Sequence, residues 1–258
     1  MRVYRCCWLA GLAVALSCVS ASKLRAADQG FTTVIEPNLT GEELHAHQDP
    51  WALQVGLKPI RLAYVQAVNP RTGAKSSEMV WYLVYKIVNQ PAVKSSLGAD
   101  SAPVNVQDPS PPAICVPRAT LVIEDPDIRG AVADSIVPEA LPEIMARERL
   151  PLKTSVQMAG PLPNPTGPGA KQENAEYGLF MFRGVNPRTT SFSIYLSGLS
   201  NAYKIGKDES GKPMVLRRTI QVPYRRYADR YDQFAKEIRQ EGEPKWIYVP
   251  DEATVAKK

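Results

Sequence analysis

The chain is poor in histidine and in usable cysteine. Its 258 residues hold two histidines, His45 and His47, and three of its four cysteines, Cys6, Cys7 and Cys18, lie within the first 27. A Ser-His-Asp or Cys-His mechanism would have to draw on one of those two histidines. Both sit in a polar, aperiodic stretch, which argues against a triad hydrolase. With the first 27 residues removed, Cys115 stands alone, so no intramolecular disulfide can form and packing must hold the core. Cys115 lies in Ala113-Ile114-Cys115-Val116, an apolar setting that suits a buried structural thiol better than a nucleophile. Glycine is scarcer than proline, 16 against 23, and the prolines recur often enough to exclude long uninterrupted helices. Walker loop, dinucleotide fingerprint, CxxC and HExxH are all missing, so the sequence calls for no cofactor.

The first 27 residues have the layout of a secretory leader. Arg2 and Arg5 form a basic start, residues 6–19 an apolar run with Trp8, Leu9, Leu12, Val14 and Leu16, and small residues follow at Ser20, Ala21, Ser22, Ala26 and Ala27. The run is short for a spanning helix. Cleavage is expected after Ser22 or near Ala27. Two alternatives stay open: a retained anchor, in which case the membrane is met only through this segment, and lipidation at Cys18, since Leu16-Ser17-Cys18 loosely resembles a lipobox. The leader holds four of the 31 basic residues and none of the 26 acidic ones, so the formal charge of +5 drops to +1 without it. The basic balance is thus no argument for nucleic acid. A periplasmic or extracellular location follows.

Beyond the leader, residues 28–49 read as an extended or poorly ordered lead-in. A single β-rich domain is expected over residues 50–249, with a frayed tail to residue 258. Residues 51–68 alternate in part and switch parity at Pro59, the mark of a bend or bulge. Residues 78–89 are apolar on both faces, as in a strand central to its sheet. The turn signal at residues 69–73 would pair it with the preceding strand. Further strands are expected over 119–124, 177–185, 191–199, 214–224 and around Trp246-Ile247-Tyr248-Val249. In the run 214–224, Arg218 interrupts the apolar face. Helical spacing runs over 133–150, where Pro142 shortens or delays the helix, and over 229–239. Residues 90–112 and 160–172 are Pro-rich loops. Short strands with Pro/Gly-rich connections and one or two short helices predict an antiparallel β-sandwich, with the immunoglobulin-like arrangement as one form of it.

Three constellations carry possible chemistry. In an extended segment His45, His47 and Asp49 would share a face and reach one metal. The bland reading is a solvated lead-in. Glu124, Asp125 and Asp127 cluster after a strand, and Glu124 with Asp127 would suit carboxylate-dependent hydrolysis of an extracellular or wall polymer. The bland reading is a solvated Asp-Pro-Asp turn. Arg217, Arg218, Arg225, Arg226 and Arg230 interleave with Tyr224, Tyr227 and Tyr231, a mixture that binds sugars and anionic glycans by stacking and charge. Of these, Arg217, Arg225, Arg226, Tyr224 and Tyr227 form the candidate binding surface. The bland reading is a strand edge paired with acidic neighbours.

Five segments carry a resemblance: Asp49-Pro50-Trp51-Ala52-Leu53; Val80-Trp81-Tyr82-Leu83-Val84-Tyr85-Lys86-Ile87-Val88-Asn89; Phe192 to Asn201 with its Ser-Gly-Leu-Ser-Asn ending; Leu216-Arg217-Arg218-Thr219-Ile220-Gln221; and Glu237-Ile238-Arg239 with Lys245-Trp246-Ile247-Tyr248. In this order they resemble a family of exported, uncharacterised planctomycete proteins. The resemblance implies export and a bacterial envelope setting and carries no catalytic residue. The function expected is a non-catalytic binding or structural domain of the envelope whose partner is a protein or a glycan.

Overall fold

The computed structural model describes residues 30–46, 49–68, 72–90, 113–167, 174–208, 210–227 and 237–250. The leader, Cys18, His47 and most of the helix expected over 229–239 lie outside these. The chain divides into two units, Met1–Gly30 and Phe31–Lys258. All described strands and helices belong to the second.

The described elements are strands β1 (Thr33–Ile35), β2 (Gln54–Leu57), β3 (Arg61–Val68), β4 (Lys75–Val88), β5 (Ile114–Cys115), β6 (Arg118–Ile123), β7 (Gly130–Ala133), β8 (Lys153–Thr154), β9 (Gly160–Pro161), β10 (Ala175–Arg183), β11 (Ser191–Ser197), β12 (Tyr203–Lys207), β13 (Pro213–Arg226), β14 (Ile238–Gln240) and β15 (Lys245–Pro250), with short helices α1 (Gly41–Ala46), α2 (Leu141–Glu148) and α3 (Ser155–Met158). The first sheet runs β1-β2-β4-β10-β8, with β3 also on β4. The second runs β12-β13-β11-β6-β7, with β14 and β15 also on β13. All pairings but β8 with β10 are antiparallel. The architecture is an antiparallel β-sandwich.

Alternation decides which side chains enter which layer. Trp81, Leu83, Tyr85 and Ile87 of β4 join Phe180 and Phe182 of β10 and meet Phe192, Ile194, Ile220 and Val222 of the second sheet. Tyr85 stacks on Phe180 at 4.2 Å, and Trp81 meets Phe192 edge-on at 5.3 Å. The opposite face of β4, Val80, Tyr82 and Val84, packs under Val137, Ala140 and Ile144 of α2 and its approach. The first sheet is thus covered on both faces, by a sheet and by a helix layer, which is why β4 is apolar on both faces from Met79 to Tyr85.

At the Pro59 switch, β2 and β3 pair with the same strand. Three residues, 58–60, face two, Leu83 and Val84, between the pairs Leu57–Tyr85 and Arg61–Tyr82. This is the bulge the parity change predicted.

Several expectations are corrected. Residues 33–35 and 41–46 of the lead-in form β1 and α1. The helix over 133–150 is confined to Leu141–Glu148, with Pro142 in its first turn. Of its upstream residues, Ala133 ends β7, where it pairs with Thr120, and 134–140 belong to neither helix nor strand. Ile238 and Arg239, placed on a helix by their spacing, lie in β14 opposite Arg226 and Arg225. Helix spacing over a short apolar set does not outweigh an open strand edge next to it.

Candidate functional site

The ionisable groups in the interior tie elements together. Glu148, at the end of α2, accepts from Lys58 Nζ at 2.9 Å, Arg61 Nη1 at 2.9 Å and the Tyr82 hydroxyl at 3.0 Å. Burial alone would raise its carboxyl, but these donors outweigh burial and hold it below the ordinary carboxylate range. Asp125 accepts from the Thr190 amide at 2.9 Å, the Ser191 amide at 3.1 Å and the Thr190 hydroxyl. Asp134 accepts from the Met181 amide at 2.8 Å, on the edge of β10 that β8 leaves uncovered, and burial pushes its carboxyl up.

On β13, a buried arginine stands at each end of the apolar stripe Ile220, Val222 and Tyr224. Arg218 lies over the Trp246 ring at 4.3 Å, pairs with Glu43 at 3.2 Å and donates to the Asn38 carbonyl. Its Nη1 is buried without a hydrogen-bond partner among the described residues. Glu43 also accepts from the Tyr248 hydroxyl. It closes a capping box in which Thr40 Oγ1 accepts from the Glu43 amide and a Glu43 carboxylate oxygen accepts from the Thr40 amide. Arg226, at the other end, faces the Trp81 ring at 5.9 Å and donates to the Pro187 carbonyl.

The Arg/Tyr surface therefore does not assemble as one face. Tyr224 and Arg226 point into the sandwich and are buried, because residues two apart on a strand share a side. Arg217, Arg225 and Tyr227 are on the outside. Arg225 pairs with Glu241 at 3.0 Å, and Arg239, paired with Glu237, lies over the Tyr227 ring at 5.3 Å. Arg225 thus finds its acidic partner in the segment after β13, but β13 is not the edge that the bland reading expected: Ile220, for one, pairs with Leu196 of β11 on one side and Trp246 of β15 on the other.

The metal reading loses its geometric premise. His45 is in α1 rather than in an extended run, and His47 lies outside the described residues. Asp49 is exposed, and its carbonyl accepts from Asn201 Nδ2 at 2.8 Å. Among the described residues no group of three His, Cys, Asp or Glu is placed to hold a metal ion. Glu124 and Asp127 are exposed, while Asp125 between them is buried in its latch. Neither exposed carboxylate lines either of the two clefts described next. Cys115 is buried, donates to the Gly198 carbonyl at 3.3 Å, and burial pushes its thiol up to about 12.

The larger cleft, about 670 Å³, opens where the β3–β4 hairpin meets the turn between β10 and β11. Tyr64 and Met79, directly opposite each other in the β3–β4 ladder, form one wall with Ser77 and Glu78. Val185, Asn186 and Pro187 form the other, after Gly184, whose φ of 77° turns the chain out of β10. Glu78 is gripped by Arg183, with Nε to Oε1 at 2.8 Å and Nη2 to Oε2 at 2.5 Å. Asn186 Oδ1 accepts from the Arg188 amide at 2.9 Å, which fixes the side chain. The smaller cleft, about 210 Å³, lies between β1 and β14 and is lined by Thr32, Thr33, Lys58, Tyr224, Arg239 and Gln240. Neither cleft has a sequence signature, because the walls come from segments far apart in the chain. Glu43 alone had one, in the Thr40-x-x-Glu43 capping box, which does not point to Arg218. Among the described residues no helix is long and apolar enough to cross a membrane. No family model, no curated protein and no solved structure matches this chain.

Proposed function

We propose that the chain is an exported, non-catalytic binding domain of a bacterial cell envelope, and that the cleft beside the β3–β4 hairpin is its binding face. The cleft carries the reading. It is the larger of the two clefts described, and its lining is a tyrosine, a methionine, a valine and a proline with a hydroxyl, an amide and one paired carboxylate. Apolar walls with a few oriented polar groups are the chemistry of recognition. Glu148, Asp125, Glu43 and Arg218 serve the fold by joining α1, α2 and the turns to the sheets. The leader pattern of residues 1–27 supports export.

The test is cross-linking of tagged full-length protein in its own cell envelope, with mass spectrometry of bait and partners. A processed bait bringing down one reproducible envelope component, released by Tyr64→Ala, is expected. An unprocessed cytoplasmic bait overturns export. A processed bait with no partner overturns the binding role.

A further inference from the structure

We propose that the cleft between Tyr64 and Asn186 binds a neutral saccharide chain. This deepens the binding reading and rests on it. Tyr64 is 36% exposed on β3 at the cleft wall. A tyrosine ring offers an electronegative face on which the C–H face of a sugar packs. Met79, directly opposite in the ladder, extends that apolar floor, and its flexible thioether adapts to an irregular surface.

The polar groups around the floor match hydroxyls rather than charges. Of the side chains lining the cleft, the one charged at neutral pH, Glu78, is held in a two-bond pair with Arg183, so the lining carries no net charge to attract an ionic ligand. Each Glu78 oxygen accepts one bond from Arg183 and keeps a second acceptor position. A carboxylate locked in this way is oriented to receive sugar hydroxyls. Asn186 is fixed through Oδ1, which directs its Nδ2 hydrogens, and Ser77 adds a hydroxyl that both donates and accepts. At Gly184 an added Cβ would meet no atom within 4 Å, so the bend beside the cleft is open and the positive φ alone requires glycine. The volume of about 670 Å³ falls within the size of small-ligand sites.

The test is calorimetric titration of the full chain, recovered after export, with cellopentaose, chitopentaose and mannopentaose. Binding of at least one is expected, weakened about tenfold or more by Tyr64→Ala and by the blocking change Ser77→Arg. Tyr64→Phe should retain it, and all three variants should keep the parent's thermal midpoint. No binding of any of the three at about 10 mM, or binding unchanged in Tyr64→Ala and Ser77→Arg, overturns the proposal. If the envelope cross-linking then yields a protein partner sensitive to the same variants, the saccharide is wrong and the binding role stands. If it yields nothing, both fall.

Discussion

Asn201 grips the backbone on both sides of Pro50: its Oδ1 accepts from the Trp51 amide at 2.8 Å, and its Nδ2 donates to the Asp49 carbonyl at 2.8 Å. Beside it, the Ser200 hydroxyl donates to the Trp51 carbonyl at 2.9 Å and the Leu53 amide to the Leu199 carbonyl at 2.9 Å. The Asp-Pro-Trp-Ala-Leu and Ser-Gly-Leu-Ser-Asn segments are therefore two halves of one latch, which ties the entry of the first sheet to the end of β11. Asn201→Ala leaves the Trp51 amide without its side-chain acceptor and costs about 1–3 kcal/mol. Urea unfolding measures it, and a midpoint equal to the parent's would show that the latch does not bear on stability.

Gly198 belongs to the same latch. Its φ is 76°, and a Cβ there would fall onto the Val116 carbonyl. Gly198→Ala combines left-handed strain with a backbone clash, and a loss of more than about 3 kcal/mol is expected. Gly184→Ala, with a similar φ but open space, should cost only about 1–2 kcal/mol. Equal losses at both positions would refute the clash.

Glu43 and Arg218 form a pair that is cheap to keep and costly to halve. Glu43→Ala strands a guanidinium that is 4% exposed, at about 3–5 kcal/mol. The double change Glu43→Leu with Arg218→Met removes both charges and should recover most of that. A double variant no better than the single one would show that the pair is not the source of the loss.

Acid should unfold the protein through these carboxylates. Burial pushes the Glu43 carboxyl up, but the Tyr248 hydroxyl, the Thr40 amide and the Arg218 guanidinium together hold it below its ordinary value, and Glu148 is held low by Lys58 and Tyr82. A carboxyl lowered in the folded state adds stability that is present above its unfolded value, near about 4.3, and is lost as pH falls through the folded one. Asp134, raised by burial, works in the opposite sense, so its contribution improves as pH falls. Two lowered groups against one raised predict a thermal midpoint that drops below about pH 4. Its acid slope should be shallower in Glu43→Gln, and an identical slope would show that Glu43 contributes nothing to it.

Tyr85 is fully buried, and its hydroxyl has no hydrogen-bond partner among the described residues. Burial pushes that hydroxyl's titration well above the ordinary phenol range. Tyr85→Phe keeps the stack on Phe180 and removes the unsatisfied group, so a gain of about 1 kcal/mol is expected. A loss on chemical unfolding would point to an interaction of the hydroxyl that the structure does not show.

Strand periodicity made much of the sandwich legible. The doubly apolar run around Trp81, the parity switch at Pro59 and the alternation of Leu216, Ile220, Val222 and Tyr224 each correspond to an observed element. The short strands β7, β8, β12 and β14 were not legible, because a few residues carry no period and pair only where a neighbour offers an open edge. The site was the least legible part. A list of arginines and tyrosines along β13 does not say which face each takes. The same period of two that identified the strand places Tyr224 and Arg226 inside and Arg217 and Arg225 outside.

What the sequence by itself determined is local: the strand runs, the bulge, a short α2 with Pro142 near its start, the buried setting of Cys115 and the absence of a disulfide in the domain. These follow from side-chain size, backbone restriction and hydrophobic period, all of which act over a few residues. The tertiary structure alone decided that Arg218 meets Glu43, that Asn201 meets Trp51 and that Tyr64 faces Asn186. Such meetings depend on how two sheets stack and on which edge a distant segment covers. The free energy that selects them is shared across the whole core, and no local stretch of residues records it.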